Sequence, residues 1–179
     1  MTKAPGPSIA MYRPDLRDLP SAPLPAGFSL RPVASREEAE LARLLSAAFG
    51  EPWDEARVRA TLTRAPDVRA VYAVFGEGAL VATASSQALP ARDPGSGFVH
   101  WVATHPHHRG RRLGAALVGH LLRDFRGRGY GSARLFTQPH RLPAIATYLG
   151  CGFVPEYEVD GRDDRLTWSR TLQALMGRP

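Results

Sequence analysis

The stretch His100–Leu117, HWVATHPHHRGRRLGAAL, runs from an apolar strand through a turn of glycine and arginine into a helix. Its neighbours support both ends. Phe98–Thr104 reads as a strand, and Leu113–Arg128 carries Leu113, Leu117, Leu121, Leu122 and Phe125 on one helical face. Gly127 and Gly129 end that helix. The first N–H groups of a helix have no partner inside it, so a turn entering a helix offers donors to an anion. Gly110 and Gly114 let the backbone come near a ligand, while Arg109, Arg111 and Arg112 add positive charge. The helix dipole supplies only ~0.3–1 kcal/mol per charge, so N–H and arginine contacts share the work of holding a pyrophosphate. No GK[ST] follows, which counts against a P-loop, and no GxGxxG is present. Taken alone, the turn also reads as a surface turn with solvated arginines.

Working outward, Phe28–Val33 alternates like a strand, and Ser35-Arg-Glu-Glu38 reads as a capping box opening a helix to about Phe49. Gly50, Pro52 and Trp53 break it, and Asp54 starts a second short helix to about Arg64. Residues 69–75 and 79–88 form a hairpin across Gly76-Glu77-Gly78, followed by a loop over 90–97. Beyond the central helix come a strand at 132–137, a helix over 143–149 with Pro143 near its start, and two closing strands at 153–159 and 166–172. Residues 1–27 are proline-rich and read as an extended arm before a single domain over 28–179. The early half is antiparallel, and strand–helix–strand over 98–137 makes a parallel or splayed pair.

The whole chain bounds the partners. At 179 residues and 44% apolar content it can bury one real core. No apolar run approaches the ~18 residues of a membrane span, and no signal peptide is expected. Cys151 is the only cysteine, which makes a reducing, cytoplasmic setting the default. The net charge is +6 and Lys3 is the only lysine, so the positive charge is nearly all arginine. That balance fits GC-rich codon usage and also a polyanionic ligand, whether nucleic acid or nucleotide.

The segment Thr104-His-Pro-His-His-Arg-Gly-Arg-Arg-Leu-Gly114 resembles the acetyl-CoA motif V-x-P-x-x-[RQ]-x-x-G-x-[GA] of the GNAT N-acetyltransferases. It departs from that pattern at Thr104, where a hydrophobic residue is usual, and at Arg112, where the first motif glycine stands. A second match, Ala144–Phe153, carries the family's Y-x-x-x-G-F ending with Tyr148 as its tyrosine. Arg141 replaces the asparagine often found seven residues earlier. The two matches span about residues 98–155. The resemblance implies a mixed α/β fold: a mostly antiparallel sheet of about six or seven strands flanked by helices, with a V-shaped splay between the fourth and fifth. It implies acetyl-CoA as cosubstrate, no metal, and acetyl transfer to a primary amine of a small molecule or peptide in a ternary complex. Val102, Ala103 and Thr104 would then run beside the pantetheine arm. Arg109, Gly110, Arg111, Arg112, Leu113, Gly114 and Ala115 would hold the pyrophosphate.

Transfer from a thioester to an amine needs a neutral amine, a stabilised carbonyl oxyanion and a proton for the leaving thiolate. An amine of pKa ~10.4 is neutral less than ~0.1% of the time at pH 7. The splayed strand offers the Val102 N–H to the oxyanion. Tyr148 suits the acid role or packs against the sheet, and His100 is a base or a packed or substrate-contacting histidine. His105, His107 and His108 sit within the phosphate turn with no carboxylate, so they do not read as a metal site. Cys151 has no evident base and does not read as a nucleophile. Glu156, Glu158, Asp160, Asp163 and Asp164 mark either a cationic acceptor or a solvated hairpin; Glu51 and Trp53 border the same cleft or pack. Two rival readings remain. One is a CoA-binding sensor without catalysis. The other is a nucleic-acid module using Arg109, Arg111, Arg112, Arg123, Arg126 and Arg128. A monomer or homodimer is compatible with all three.

Overall fold

The computed structural model describes residues 8–19 and 21–177. Its strands are β1 (Ile9–Arg13), β2 (Phe28–Pro32), β3 (Val68–Gly76), β4 (Ala79–Ala88), β5 (Ser96–Thr104), β6 (Ser132–Thr137) and β7 (Val154–Glu156). They form one sheet in the order β2-β3-β4-β5-β6-β1-β7. All neighbouring pairs are antiparallel except β5–β6. The helices are α1 (Glu38–Phe49), α2 (Glu55–Val58, continued by a wider turn over Arg59–Thr63), α3 (Leu113–Gly127), α4 (Leu142–Gly150) and α5 (Arg165–Met176). A small hairpin, β8 (Glu158–Val159) with β9 (Arg162–Asp163), stands apart from the sheet.

Each face of the sheet closes a core. On one face Leu113, Leu117, Leu121, Leu122 and Phe125 of α3 pack with Ile9, Met11, Val99, Leu135 and Trp168. On the other, Leu41, Leu44 and Leu45 of α1 pack with Trp53, Val58, Val71, Ala73 and Phe75. Gly97 sits where α3 presses hardest, since a methyl group there would stand 2.3 Å from a Phe125 ring carbon. Phe125 is fully buried and has no room to retreat. Gly97→Ala is therefore expected to cost about 2–3 kcal/mol of stability, read as a lower denaturant midpoint at unchanged slope.

Four expectations from the sequence need correction. Residues 9–13 are not part of an arm: β1 lies between β6 and β7 in the sheet. Residues 14–19 and 21–27 lie along α3 on the way to β2 at the opposite edge, with Leu16, Leu19 and Leu24 on the core and Ala22 against Gly119. The buried Arg13 of β1 donates to the Cys151 and Asp18 carbonyls. Gly152 makes room for it, having φ +82° and no space for a Cβ, which would meet the guanidinium at 1.8 Å. The segment 166–172 is helix rather than strand. Its buried residues, Trp168 and Thr171, with Leu172 and Leu175 behind them, follow helical spacing, whereas Leu166 is exposed. The strand expected over 153–159 divides at Tyr157 into β7 and β8.

The start of α1 also differs from the capping box read at Ser35 and Glu38. A single turn at Ser35–Glu37 precedes the helix, and the Glu37 carboxylate accepts from the Ala34 N–H at 2.8 Å and from Arg31. These bonds hold Glu37 down at about 2. Glu38 instead accepts from Thr63 at 2.7 Å and Arg59 at 2.8 Å, tying α1 to the turn after α2. Asp54 caps α2 as expected, accepting from the Arg57 N–H at 2.7 Å.

Candidate active site

The parallel pairing of β5 with β6 runs from Ser96↔Ser132 to Val99↔Leu135 and stops, although both strands continue. The cause lies in β5. Between His100↔Ser85 and Ala103↔Thr83, β5 has two residues, Trp101 and Val102, opposite the single Ala84 of β4. Trp101 takes φ +45°, a left-handed conformation rare for a bulky residue. The bulge bends β5 away from β6, and the sheet opens into a split. His105 N–H bonds the Val81 carbonyl on the β4 side at 2.8 Å. Antiparallel alternation therefore turns the N–H and C=O groups of Val102 and Thr104 toward the split.

A cleft of about 680 Å³ opens there, lined by residues 102–104 of β5, residues 108–115 of the turn, the end of α1 at Ala48 and Phe49, and the start and inner face of α4. The turn enters α3 through two left-handed residues, Gly110 (φ +76°) and Arg112 (φ +60°, ψ +15°). Arg112 thus keeps the backbone shape of the glycine it replaces in the motif, at a cost of roughly 1–2 kcal/mol. Among the described residues, the N–H groups from Gly110 to Ala115 have no protein acceptor, and the first bond of α3 comes from Ala116 N–H to Arg112 O at 3.1 Å. All of these residues line the cleft. Their free donors and the three exposed arginines beside them suit a pyrophosphate.

Tyr148, on the inner face of α4, lines the same cleft. Its ring is 7% exposed and meets Phe153 edge-on at 6.2 Å. Burial pushes its hydroxyl up to about 12, so it keeps its proton throughout the physiological range. Thus the structure brings together every expected cosubstrate residue and Tyr148. His100 is not among the residues lining this cleft. It is the first residue beyond the last β5–β6 pair, beside Trp101 at 5.7 Å between ring centres.

The surroundings of His100 define its proton. The Ser85 hydroxyl donates to the His100 carbonyl at 3.0 Å and lies 3.2 Å from Nδ1. A hydroxyl has one proton to give: with it on the carbonyl, Nδ1 is left to donate to Ser85 and Nε2 carries the lone pair. Burial pushes His100 down to about 4, opposed by the charge of Asp67. Between about 6.5 and 4 the unfolded chain binds a proton that the folded protein does not, so this group's stabilisation is lost as pH falls through that window. His100→Gln is expected to flatten the loss of unfolding free energy between pH 7 and 5, as measured by denaturant titration.

Other candidates divide. Trp53 packs edge-on against Trp101 at 4.7 Å within the α1–α2 core, and Glu51 pairs with Arg57 at 2.9 Å. Cys151 is buried, and burial raises its thiol, which is wrong for a nucleophile. The acidic cluster is matched by arginine: Glu156 with Arg134, Glu158 and Asp163 with Arg165, Asp160 with Arg92, Asp164 with Arg162. These pairs join the hairpin to its neighbours, so the cluster is not a free acidic surface. Two arginines expected on a basic face are likewise engaged, Arg128 by Asp124 at 2.8 Å and Arg126 by the Arg17 carbonyl at 3.3 Å. Among the described residues no group of three or more His, Cys, Asp or Glu is placed to hold a metal, and no helix is long and apolar enough to cross a membrane.

Sequence reading missed the far wall of the cleft. Phe49 ends α1, and Arg141 stacks on its ring at 4.8 Å, while Arg109 reaches the Ala48 carbonyl at 3.4 Å. A signal was available only for Arg141, in its spacing of seven from Tyr148, two helical turns away on the same face.

A mixed sheet split between two parallel strands, with a turn of free N–H groups and arginines on one wall and a buried tyrosine on the other, has the form of the acetyltransferase class of α/β proteins. The chain belongs to the Acetyltransferase (GNAT) family, whose sequence profile matches residues 38–153. It is 31% identical over 115 residues to N-acetyltransferase 8B of Rattus norvegicus, covering 58% of this chain and 52% of the rat protein. The chain therefore spans about half the length of the curated relatives it matches. Its fold is similar to a GCN5-related N-acetyltransferase from Sphaerobacter thermophilus, with TM-score 0.67, 22% identity, and coverage of 83% of this chain and 48% of that one. It is also similar to the PaiA N-acetyltransferase of Thermoplasma acidophilum in complex with coenzyme A, with TM-score 0.60, 13% identity, and coverage of 76% and 94%.

Proposed function

We propose that this protein transfers an acetyl group from acetyl-CoA to a primary amine of a small molecule or peptide, by direct attack within a ternary complex. The observation that carries this reading is the row of unbonded N–H groups from Gly110 to Ala115, facing the cleft that Tyr148 lines. Acetyl-CoA supplies the activated thioester. Arg109, Gly110, Arg111, Arg112, Leu113, Gly114 and Ala115 bind its pyrophosphate, and the free backbone groups of Val102 and Thr104, with Ala103 between them bonded to β4, take the pantetheine arm as an added strand does. The Val102 N–H stabilises the carbonyl oxyanion. Tyr148 donates to the sulfur as the C–S bond breaks.

His100, neutral above about 4 and set back from the cleft lining, receives the amine proton through water. So weak a base does little to ionise an ammonium, and the acceptor's own equilibrium supplies the free amine. For an acceptor of pKa ~10.4, kcat/KM is expected to rise about tenfold per pH unit from 6 to 9, with no limb from His100 or Tyr148. A plateau near pH 7 with such an acceptor would overturn this assignment of the groups.

The function is tested by thiol release from acetyl-CoA across a panel of amines, polyamines, amino acids, aminoglycosides and peptide N-termini. Calorimetry with CoA and with oligonucleotides at several salt concentrations accompanies it. Turnover with an amine supports the proposal, and CoA binding without turnover on any class supports the sensor reading instead. Oligonucleotide binding with a steep salt dependence and no CoA binding overturns it.

A further inference from the structure

The thiolate that leaves in this reaction sits in a cleft whose tyrosine is an unwilling acid. A hydroxyl held at about 12 gives its proton poorly to a thiolate of ordinary pKa ~8.5. The site therefore needs another way to accommodate negative charge on sulfur, and Arg141 is placed to supply it.

Arg141 caps the start of α4, seven residues before Tyr148. Helical side chains lean toward the N-terminus, which carries the Tyr148 hydroxyl toward Arg141 rather than away from it. Both residues line the cleft. The guanidinium rests on the Phe49 ring at 4.8 Å, and among the described residues it has no carboxylate partner. A half-buried, unneutralised cation facing a cleft acts strongly on charge that develops there. The charged or ionisable groups acting on Tyr148 are Arg141, which favours its ionisation, and the Cys151 thiol, which opposes it. Arg109, Arg111 and Arg112 belong to the turn at the pyrophosphate end.

We propose that Arg141 is a catalytic residue of the acyl transfer, its guanidinium stabilising the thiolate of CoA as the acetyl group departs. This deepens the acetyl-transfer reading and rests on it. The amine nitrogen forms its bond to the carbonyl carbon, and the C–S bond breaks with its electron pair on sulfur. The ammonium proton passes to His100 or water, and the sulfur leaves as a thiolate beside Arg141, accepting a hydrogen bond from the Tyr148 hydroxyl, which keeps its proton, and taking a proton from water as CoA departs. Arg141 keeps its proton throughout and contributes charge alone.

The readout is the ionisation of the thiol of bound CoA, followed by thiolate ultraviolet absorbance against pH in wild type, Arg141→Gln and Arg141→Lys. The Arg141 side chain makes no hydrogen bond within the described residues, and its backbone N–H and carbonyl hold the helix start, so both variants are expected to fold. Bound CoA is expected to ionise about tenfold less readily in Arg141→Gln, with Arg141→Lys restoring most of the difference. In steady state, kcat falls about 10- to 100-fold in Arg141→Gln with KM for acetyl-CoA within about threefold. Unchanged thiol ionisation, with or without weaker CoA binding, overturns the assignment of Arg141 and leaves acetyl transfer standing. A wild-type protein that binds no CoA overturns both.

Discussion

Gly114→Asp is expected to abolish CoA binding while leaving the fold intact. Gly114 is the second residue of α3, and a Cβ added there meets only a Thr147 methyl at 4.0 Å, an ordinary contact. An acidic side chain in the first turn of a helix is favourable by ~0.3–1 kcal/mol. The variant therefore melts at or above the wild-type temperature. In the cleft the effect is reversed. A carboxylate among the N–H groups of Gly110 to Ala115 fills the anion site from within and repels the pyrophosphate. We expect CoA affinity to fall at least about 100-fold by calorimetry, corresponding to two or more charge-assisted hydrogen bonds at ~1.5–3 kcal/mol each. Gly114→Ala adds the methyl without the charge and is expected to lose much less. Retained affinity in Gly114→Asp would place the pyrophosphate elsewhere.

Tyr148→Phe is expected to lower kcat by about 10²–10³-fold with little change in KM for acetyl-CoA. The ring fills a buried position against Phe153, and phenylalanine fills it equally well. Among the described residues the hydroxyl has no protein partner, so removing it deletes only what the hydroxyl offers to a ligand. An unchanged kcat would remove Tyr148 from the leaving-group step. The two variants separate binding from chemistry: one loses the ligand, the other keeps it and loses turnover.

The turn was legible in the sequence because it depends on local rules: a glycine-bearing entry to an amphipathic helix looks the same before and after folding. The tyrosine was legible through the resemblance of residues 144–153 to the family's pattern, with Gly152 in the left-handed conformation just beyond α4. The misreadings share one cause, which is that burial depends on partners distant in the chain. Ile9–Arg13 is covered on both faces, so its sequence shows no alternation, and the prolines around it hide a five-residue strand. Residues 166–172 place Leu166, Trp168 and Leu172 at even spacing, which imitates a strand. The core instead takes Trp168, Thr171, Leu172 and Leu175, the helical set. The acidic cluster was open to two readings, a cationic acceptor or a solvated hairpin, and the sequence does not show the arginines from three separate segments that pair with it.

By itself, then, the sequence determined the glycine-and-arginine turn of residues 109–115, the helix it feeds and the helix that carries Tyr148. Turn chemistry and helical period settle these. The resemblance already implied a splay between the strands at 98–104 and 132–137, and only the tertiary structure gave its cause, because the bulge at Trp101 is defined by the register against β4. It likewise decided that an N-terminal strand fills the place beside β6, that His100 stands at the apex of the split, and that Arg141 meets Phe49 across the cleft. Each of these joins residues far apart in the chain, and packing, not local preference, chooses such partners.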